Sequence, residues 1–119
     1  MVTDCPETFL FGEIIREKIL NLTRFEVPHS VAVVVEGMHE QGKGILRIDA
    51  TIYTEKDSQK KILIGEGGSM LKTVGRLARL ELEKRLGTKI FLKLFVKVKA
   101  NWRDQRRVIK EFGYTHDSF

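Results

Sequence analysis

Residues 60–79 read KKILIGEGGSMLKTVGRLAR, and the way this stretch folds decides the architecture of the chain around it. Three glycines, Gly65, Gly67 and Gly68, fall within four residues, between an apolar run and a helical repeat. A loop of this composition can cradle a phosphate, turn the chain, or clamp a nucleic-acid backbone. A nucleotide-binding P-loop needs a lysine before its Ser or Thr, to reach the terminal phosphates, and here Gly67 and Gly68 precede Ser69 without one. The dinucleotide pattern G-x-G-x-x-G requires glycine at position 70, where Met70 stands. Both nucleotide sites are therefore disfavoured, and what remains is G-x-x-G, Gly65 to Gly68, a pattern that suits a tight turn or a clamp on a nucleic-acid backbone.

Working outward, SMLKTVGRLARLELEKRLG carries the strongest helical signal in the chain: Leu71, Val74, Ala78 and Leu82 form one stripe, widened by Leu77 and Leu86. Gly87 offers a C-terminal stop, and Ser69 is a candidate N-cap, with the glycines before it presenting free backbone N–H groups. A strand follows in KIFLKLFVKVKA, where Leu92, Leu94, Val96 and Val98 alternate with Lys93, Phe95, Lys97 and Lys99. One face of that strand reads as core and the other as largely basic. On the N-terminal side of the loop, Ile62, Leu63 and Ile64 suit either a buried strand or a helix, because the run is too short for periodicity to choose.

Further upstream, SVAVVVEGM is rich in β-branched residues, and ILRIDATIYTE alternates Leu46, Ile48, Ala50 and Ile52 against Arg47, Asp49, Thr51 and Tyr53. The connection HEQGKG has the polar residues and glycines of a hairpin turn, which predicts antiparallel pairing with one covered face. The opening TDCPETFLFGEIIREKILNL reads as a helix capped by Asp4, with Glu7 at capping-box spacing and Pro6 in the first turn. Phe11, Ile14, Ile15, Ile19 and Leu22 supply its buried face, and Pro28 prevents its continuation. RDQRRVIKEFG reads as a short closing helix.

The 119 residues and 42% hydrophobic content suit one domain with its own core, taken as 1–119 with the core at about 8–100 and a helical tail over 101–119. No apolar run approaches membrane-spanning length and the N-terminus lacks the basic-then-apolar order of a signal peptide, so a cytoplasmic location is expected. Cys5 is the single cysteine, and no second Cys or His stands at ligand spacing from it. Charge divides along the chain: residues 1–59 hold six basic and ten acidic side chains, whereas residues 60–110 hold fifteen and four. The positive half begins where the glycine loop begins, which points to a polyanion, most often nucleic acid and otherwise an anionic membrane surface. His29, His39 and His116 fall in loops and tail with no partner at triad or metal spacing, which disfavours an enzyme.

The order helix, strand, strand, ILIG, G-x-x-G, helix, strand resembles the type II KH domain. The segments ETFLFGEIIREKIL, IDATIYTEKDSQKKILIGEGGSMLKTVGRLARLELEKRLG and LFVKVKANWRDQRRVIKEFGY are similar to the C-terminal domain of the Era family of bacterial GTPases, over nearly the whole chain. The resemblance implies an α+β fold, a three-stranded mixed sheet covered on one face by helices, with a short C-terminal helix. It also makes the apolar run before the loop a short helix. It implies a ribosome-assembly factor whose KH domain binds single-stranded RNA near the 3′ end of small-subunit (16S) ribosomal RNA, on the small ribosomal subunit, with peripheral contact at the inner membrane and no cofactor in this chain. In that family a GTPase domain precedes the KH domain. No P-loop occurs here, so GTP binding is carried onto no residue, and the GTPase domain is expected to have been removed or to be supplied elsewhere.

On this reading Gly65, Gly67 and Gly68 let the backbone approach phosphate and sugar. Lys72, Arg76 and Arg79, spaced i, i+4 and i+7, run away from the loop on one helical face, with Lys60 and Lys61 on its other side, to neutralise phosphates. Ile62 and Ile64 are candidates for the floor of a base-binding groove, Ile52 for a residue facing it, and Tyr53 and Trp102 for stacking platforms. Ser69 completes the loop. Glu66 is the unexpected member, a carboxylate that repels an anionic backbone. The alternatives are a KH module of another ribosome- or transcription-associated protein, and a domain that binds anionic membranes.

Overall fold

The structure, a computed structural model, describes residues 7–23 and 30–100. The Asp4 cap, Cys5, Pro6, Pro28, His29, Trp102, His116 and the closing helix of the tail lie outside the described residues. Helix α1 (Glu7–Leu22) is followed by β1 (Val31–Glu40), β2 (Ile45–Thr54), α2 (Asp57–Ile64), a single 3₁₀ turn (Glu66–Gly68), α3 (Ser69–Leu86) and β3 (Lys89–Val98).

β2 is the central strand, antiparallel to β1 and parallel to β3, so the sheet is mixed. The parallel pairing requires a crossover, and α2, the loop and α3 together form it. The hairpin turns through Gly42, Lys43 and Gly44, all with positive φ. β1 reaches further than the expected strand: His39 pairs with Arg47 and Glu40 with Leu46. The residues placed in a loop by their polarity are thus strand, because the register with β2, not side-chain character, sets where pairing stops.

Cα partners share a face, and the alternation read in β2 holds. Ile48, Ala50 and Ile52 are fully buried with Val31 and Val33 of β1 against the helices. Ile15 and Ile19 of α1, Leu63 of α2, and Val74 and Ala78 of α3 complete this core. A second cluster joins Phe11 and Ile14 to Ile48, Leu82 and Ile90. α1 lies unusually close to β1, since a Cβ built on Gly12 falls 2.9 Å from the Val33 carbonyl oxygen. Arg16 Nε donates to the Val31 carbonyl at 2.9 Å, and Lys18 forms an ion pair with Glu81 that ties α1 to α3.

The run Ile62–Leu63–Ile64 is helical, as the family resemblance implied. Leu63 alone enters the core; Ile62 is 52% exposed. The start of α2 is held by Gln59, whose Oε1 accepts from the backbone N–H groups of Glu55 and Lys56 and whose Nε2 donates to Ser30 Oγ at 2.8 Å. Gly87 stops α3 as expected: it takes a left-handed conformation, and its N–H donates to the Glu83 carbonyl at 2.8 Å. No helix among the described residues is long and apolar enough to cross a membrane.

Candidate nucleic-acid interface

The glycines of the loop do two different jobs. Gly65 caps α2 with φ 75° and ψ 175°, a conformation open to glycine alone, and its N–H donates to the Lys61 carbonyl. A Cβ there would stand 2.8 Å from both Met70 Cβ and Met70 N, so Gly65 lets the loop fold back on the start of α3. Gly67 and Gly68 also have positive φ, yet a Cβ on either meets nothing within 4 Å. They form a bare backbone surface at the tip, with no side chain of their own to hold a ligand off.

Two local expectations change. Gly68, not Ser69, occupies the cap position of α3, because Gly68 is left-handed whereas Ser69 is already helical (φ −63°, ψ −41°). The loop's amides are also less available than a phosphate cradle needs: the Gly68 N–H donates to the Gly65 carbonyl at 3.1 Å and the Ser69 N–H to that of Glu66. Close approach at Gly67 and Gly68, rather than an array of free donors, is what the loop offers.

Beside the loop a groove of about 540 Å³ opens between α3 and β3, lined by Gly68, Leu71, Gly75, Leu92, Leu94 and Phe91, with Lys72, Arg76 and Arg79 along its rim. Its floor is apolar because β3 is an edge strand: the core-side residues Leu92 and Leu94 are only half-buried under α3. Gly75 keeps it open. An added Cβ would rest 3.6 Å from Leu94 Cδ1, an ordinary contact, but anything longer fills the space. An apolar trough of this kind with cations on one rim suits flat bases below and phosphates above.

The cations differ in freedom. Arg79 Nη1 donates to both oxygens of Glu83 at 3.1 Å, and the Ile90 backbone N–H donates to the same carboxylate at 2.9 Å. Those bonds, the Ile90 N–H first and Arg79 after it, hold the Glu83 carboxyl below the usual glutamate value. Glu83 thereby fastens α3 to the start of β3 at the far end of the groove. Lys72 and Arg76 are exposed and hold no ion pair among the described residues.

The structure therefore brings together Gly68, Lys72, Arg76 and Arg79 on one groove. Gly67, Ser69 and the exposed Glu66 stand at the adjoining loop. Lys60, Lys61, Ile62 and Ile64 lie on α2, outside the lining of this groove, and Lys61 pairs with Asp57 at 3.4 Å. Ile52 does not face the groove: it is wholly buried beneath the helices. Tyr53 lies on the opposite face of the sheet, because it pairs with Ala32 and Lys97 rather than with core-side residues. Leu71, Gly75, Phe91, Leu92 and Leu94 were not singled out for the site from sequence. A glycine in the middle of an otherwise strong helix was the one available signal.

This fold and loop define the class of protein. Residues 26–103 match the KH domain family, and the chain belongs to that family. Within it the similarity is to GTPase Era: 56% identity over 112 residues with the protein of Heliobacterium modesticaldum, covering 94% of this chain and 38% of that protein. GTPase Era of Geobacter sp. strain M21 is 53% identical over 114 residues, covering 96% of this chain and again 38% of the relative. The chain thus spans well under half the length of these curated relatives. Among solved structures, Era in complex with MgGDPNP and nucleotides 1506–1542 of 16S ribosomal RNA superimposes with a TM-score of 0.89 at 40% identity, over 96% of this chain and 38% of that one.

Proposed function

We propose that this chain is the RNA-binding module of an Era-type protein, a single KH domain with its core at about 8–100, that takes single-stranded RNA from the 3′ region of 16S ribosomal RNA on the small ribosomal subunit. The observation that carries this reading is the groove between α3 and β3, apolar on its floor, basic on its rim, and entered past the bare backbone of Gly67 and Gly68. The strand passes the loop with its phosphates toward Lys72, Arg76 and Arg79 while bases lie on Leu71, Leu92 and Leu94. Lys60 and Lys61 meet the same strand on the α2 side, and Ile62 and Ile64 flank its entry. The 16S RNA held by the solved relative supports the choice of ligand. In this reading the module binds and does not catalyse, acts in the cytoplasm, and works beside a GTPase domain of the kind its relatives' name describes.

Replacing Gly67 and Gly68 together by Asp tests the reading. The change adds charge and side chains at an open surface without entering the core. Binding of a short single-stranded RNA from the 16S 3′ end, followed by fluorescence anisotropy, is expected to vanish while the melting temperature changes modestly. Undiminished binding by the double variant, or a preference of the wild type for duplex RNA or for anionic vesicles, would overturn it.

A further inference from the structure

The sheet has a second face, and no described element packs on it. The strand register places Arg47, Asp49, Thr51 and Tyr53 of β2 on that side, with His39 of β1 opposite Arg47, and with Phe91, Lys93, Phe95 and Lys97 of β3. Two large rings are held in solvent there: Phe91 is 50% and Phe95 42% exposed. Tyr53 stands diagonally from Phe95, since Tyr53 pairs with Lys97 and Phe95 with Thr51.

Each ring carries a cation. Arg47 lies 6.0 Å from the Phe91 centroid, Lys93 5.4 Å from that of Phe95, and Lys99 5.9 Å from that of Tyr53. Two nearby carboxylates are engaged: Asp49 accepts from Arg47 Nε at 2.9 Å, and Glu36 accepts from the Thr51 hydroxyl. Lys93 and Lys97 have no ion pair among the described residues, and with Arg47 and Lys99 they outnumber Asp49 and Glu36. Along β3 ring and cation alternate at Phe91, Lys93, Phe95 and Lys97, successive side chains about 6.6 Å apart and like ones about 13 Å apart. That alternation complements a strand in which flat bases and anionic phosphates alternate, and aromatic rings on an open sheet are a recurrent platform for single-stranded RNA.

We propose that the face of the sheet opposite the described helices is a second binding surface for single-stranded RNA, on which bases stack on Phe95 and phosphates meet Lys93 and Lys97. It is separated from the α3–β3 groove by the sheet itself. Phe91 belongs to both, because it lies at the edge strand and also lines the groove. One RNA strand leaving the groove can therefore turn around the β3 edge at Phe91 and continue across the second face. That continuity rests on the groove reading; the face itself rests on its own residues.

The test uses a short oligouridine that fills only the groove, a long one that also reaches the open face, and 4-thiouridine versions of both for photocrosslinking. Phe95→Ser and the pair Lys93→Gln/Lys97→Gln are each expected to weaken the long RNA about tenfold. Affinity for the short RNA and the melting temperature should stay as in the wild type. The long RNA should crosslink to the peptide holding Phe95, and should still do so when Gly67 and Gly68 are both replaced by Asp. Loss of short-RNA binding in that loop variant reports on the groove alone, so the two readings fail separately. The proposal is overturned by unchanged long-RNA affinity in the Phe95 variant, including the case where only the lysine pair weakens binding. It is also overturned by the absence of a Phe95 crosslink, by its disappearance in the loop variant, or by phosphatidylglycerol vesicles or a second copy of the chain occupying this face in place of RNA.

Discussion

The backbone N–H of Ile90 donates to the Glu83 carboxylate at 2.9 Å, so the first buried residue of β3 is fastened to the last turn of α3. The same carboxylate accepts from Arg79, which lines the groove, and so holds that cation at its rim.

The carboxylates on α3 make stability depend on acid. Glu83 is held below the ordinary glutamate value of 4.5 by the Ile90 N–H and then by Arg79, and Glu81 is held below it by Lys18. A depressed folded-state value means the stabilisation is complete above about 4.5, the unfolded value, and is lost as pH falls through the lower folded one. Urea melts at pH 6 and again below pH 4 should show a fall in midpoint for the wild type. A Glu81→Gln/Glu83→Gln double variant should start lower and fall less. An equal fall in both proteins would remove these two groups from the account. Lys18 has the opposite sign: its value is raised by Glu81, and its contribution disappears as pH rises through the folded value, above 10.5.

Gly75 sets stability against binding. Its Cβ would sit in ordinary contact with Leu94, so Gly75→Ala should stabilise α3 by about 0.5–1 kcal/mol through helix propensity. Gly75→Leu projects a side chain into the groove and is expected to lower affinity for single-stranded RNA at least tenfold without unfolding the domain. Paired chemical denaturation and anisotropy measurements check both, and undiminished RNA affinity in the leucine variant would show that bases do not occupy the groove.

Gly12 is different, because no space exists for a side chain between α1 and β1. A Cβ would lie 2.9 Å from the Val33 carbonyl oxygen, which is backbone and gives way little. Gly12→Ala should cost about 1–3 kcal/mol as overpacking, against the usual propensity gain. The urea midpoint measures it, and a stabilised variant would mean that α1 can move off the sheet freely.

Glu66 stands exposed at the tip of the loop beside the open backbone of Gly67. Glu66→Lys should raise affinity for single-stranded RNA several-fold at low salt and steepen the dependence of log K on log salt by about 0.7 per added phosphate contact. Salt titrations of the two proteins decide this. Equal affinities at moderate salt would show that the carboxylate lies away from the phosphates.

Much of the fold is local and was legible for that reason. The stripe of Val74, Ala78 and Leu82, the stop at Gly87, and the inward set Ile48, Ala50 and Ile52 all follow from periodicities of 3.6 and 2 that a chain carries in its own order. Ile62 to Ile64 was not legible from its residues, because three positions are fewer than one helical turn, and only the likeness to a family made the segment a helix. The strand extension to Glu40 was missed because a partner strand decides it.

The candidate site divides in the same way. By itself the sequence determined that a G-x-x-G loop lies between an apolar run and a helix, with positive charge from residue 60 onward, since glycine spacing and charge order survive without coordinates. Only the tertiary structure decided that Leu71 and Gly75 of α3 face Leu92 and Leu94 of β3 across a groove, and that Glu83 fastens the two elements together. It also separated Gly65, which packs, from Gly67 and Gly68, which are open, and sent Tyr53 to the far side of the sheet. Each of these depends on what a residue meets after residues distant in sequence have come together, and a linear pattern holds no record of that.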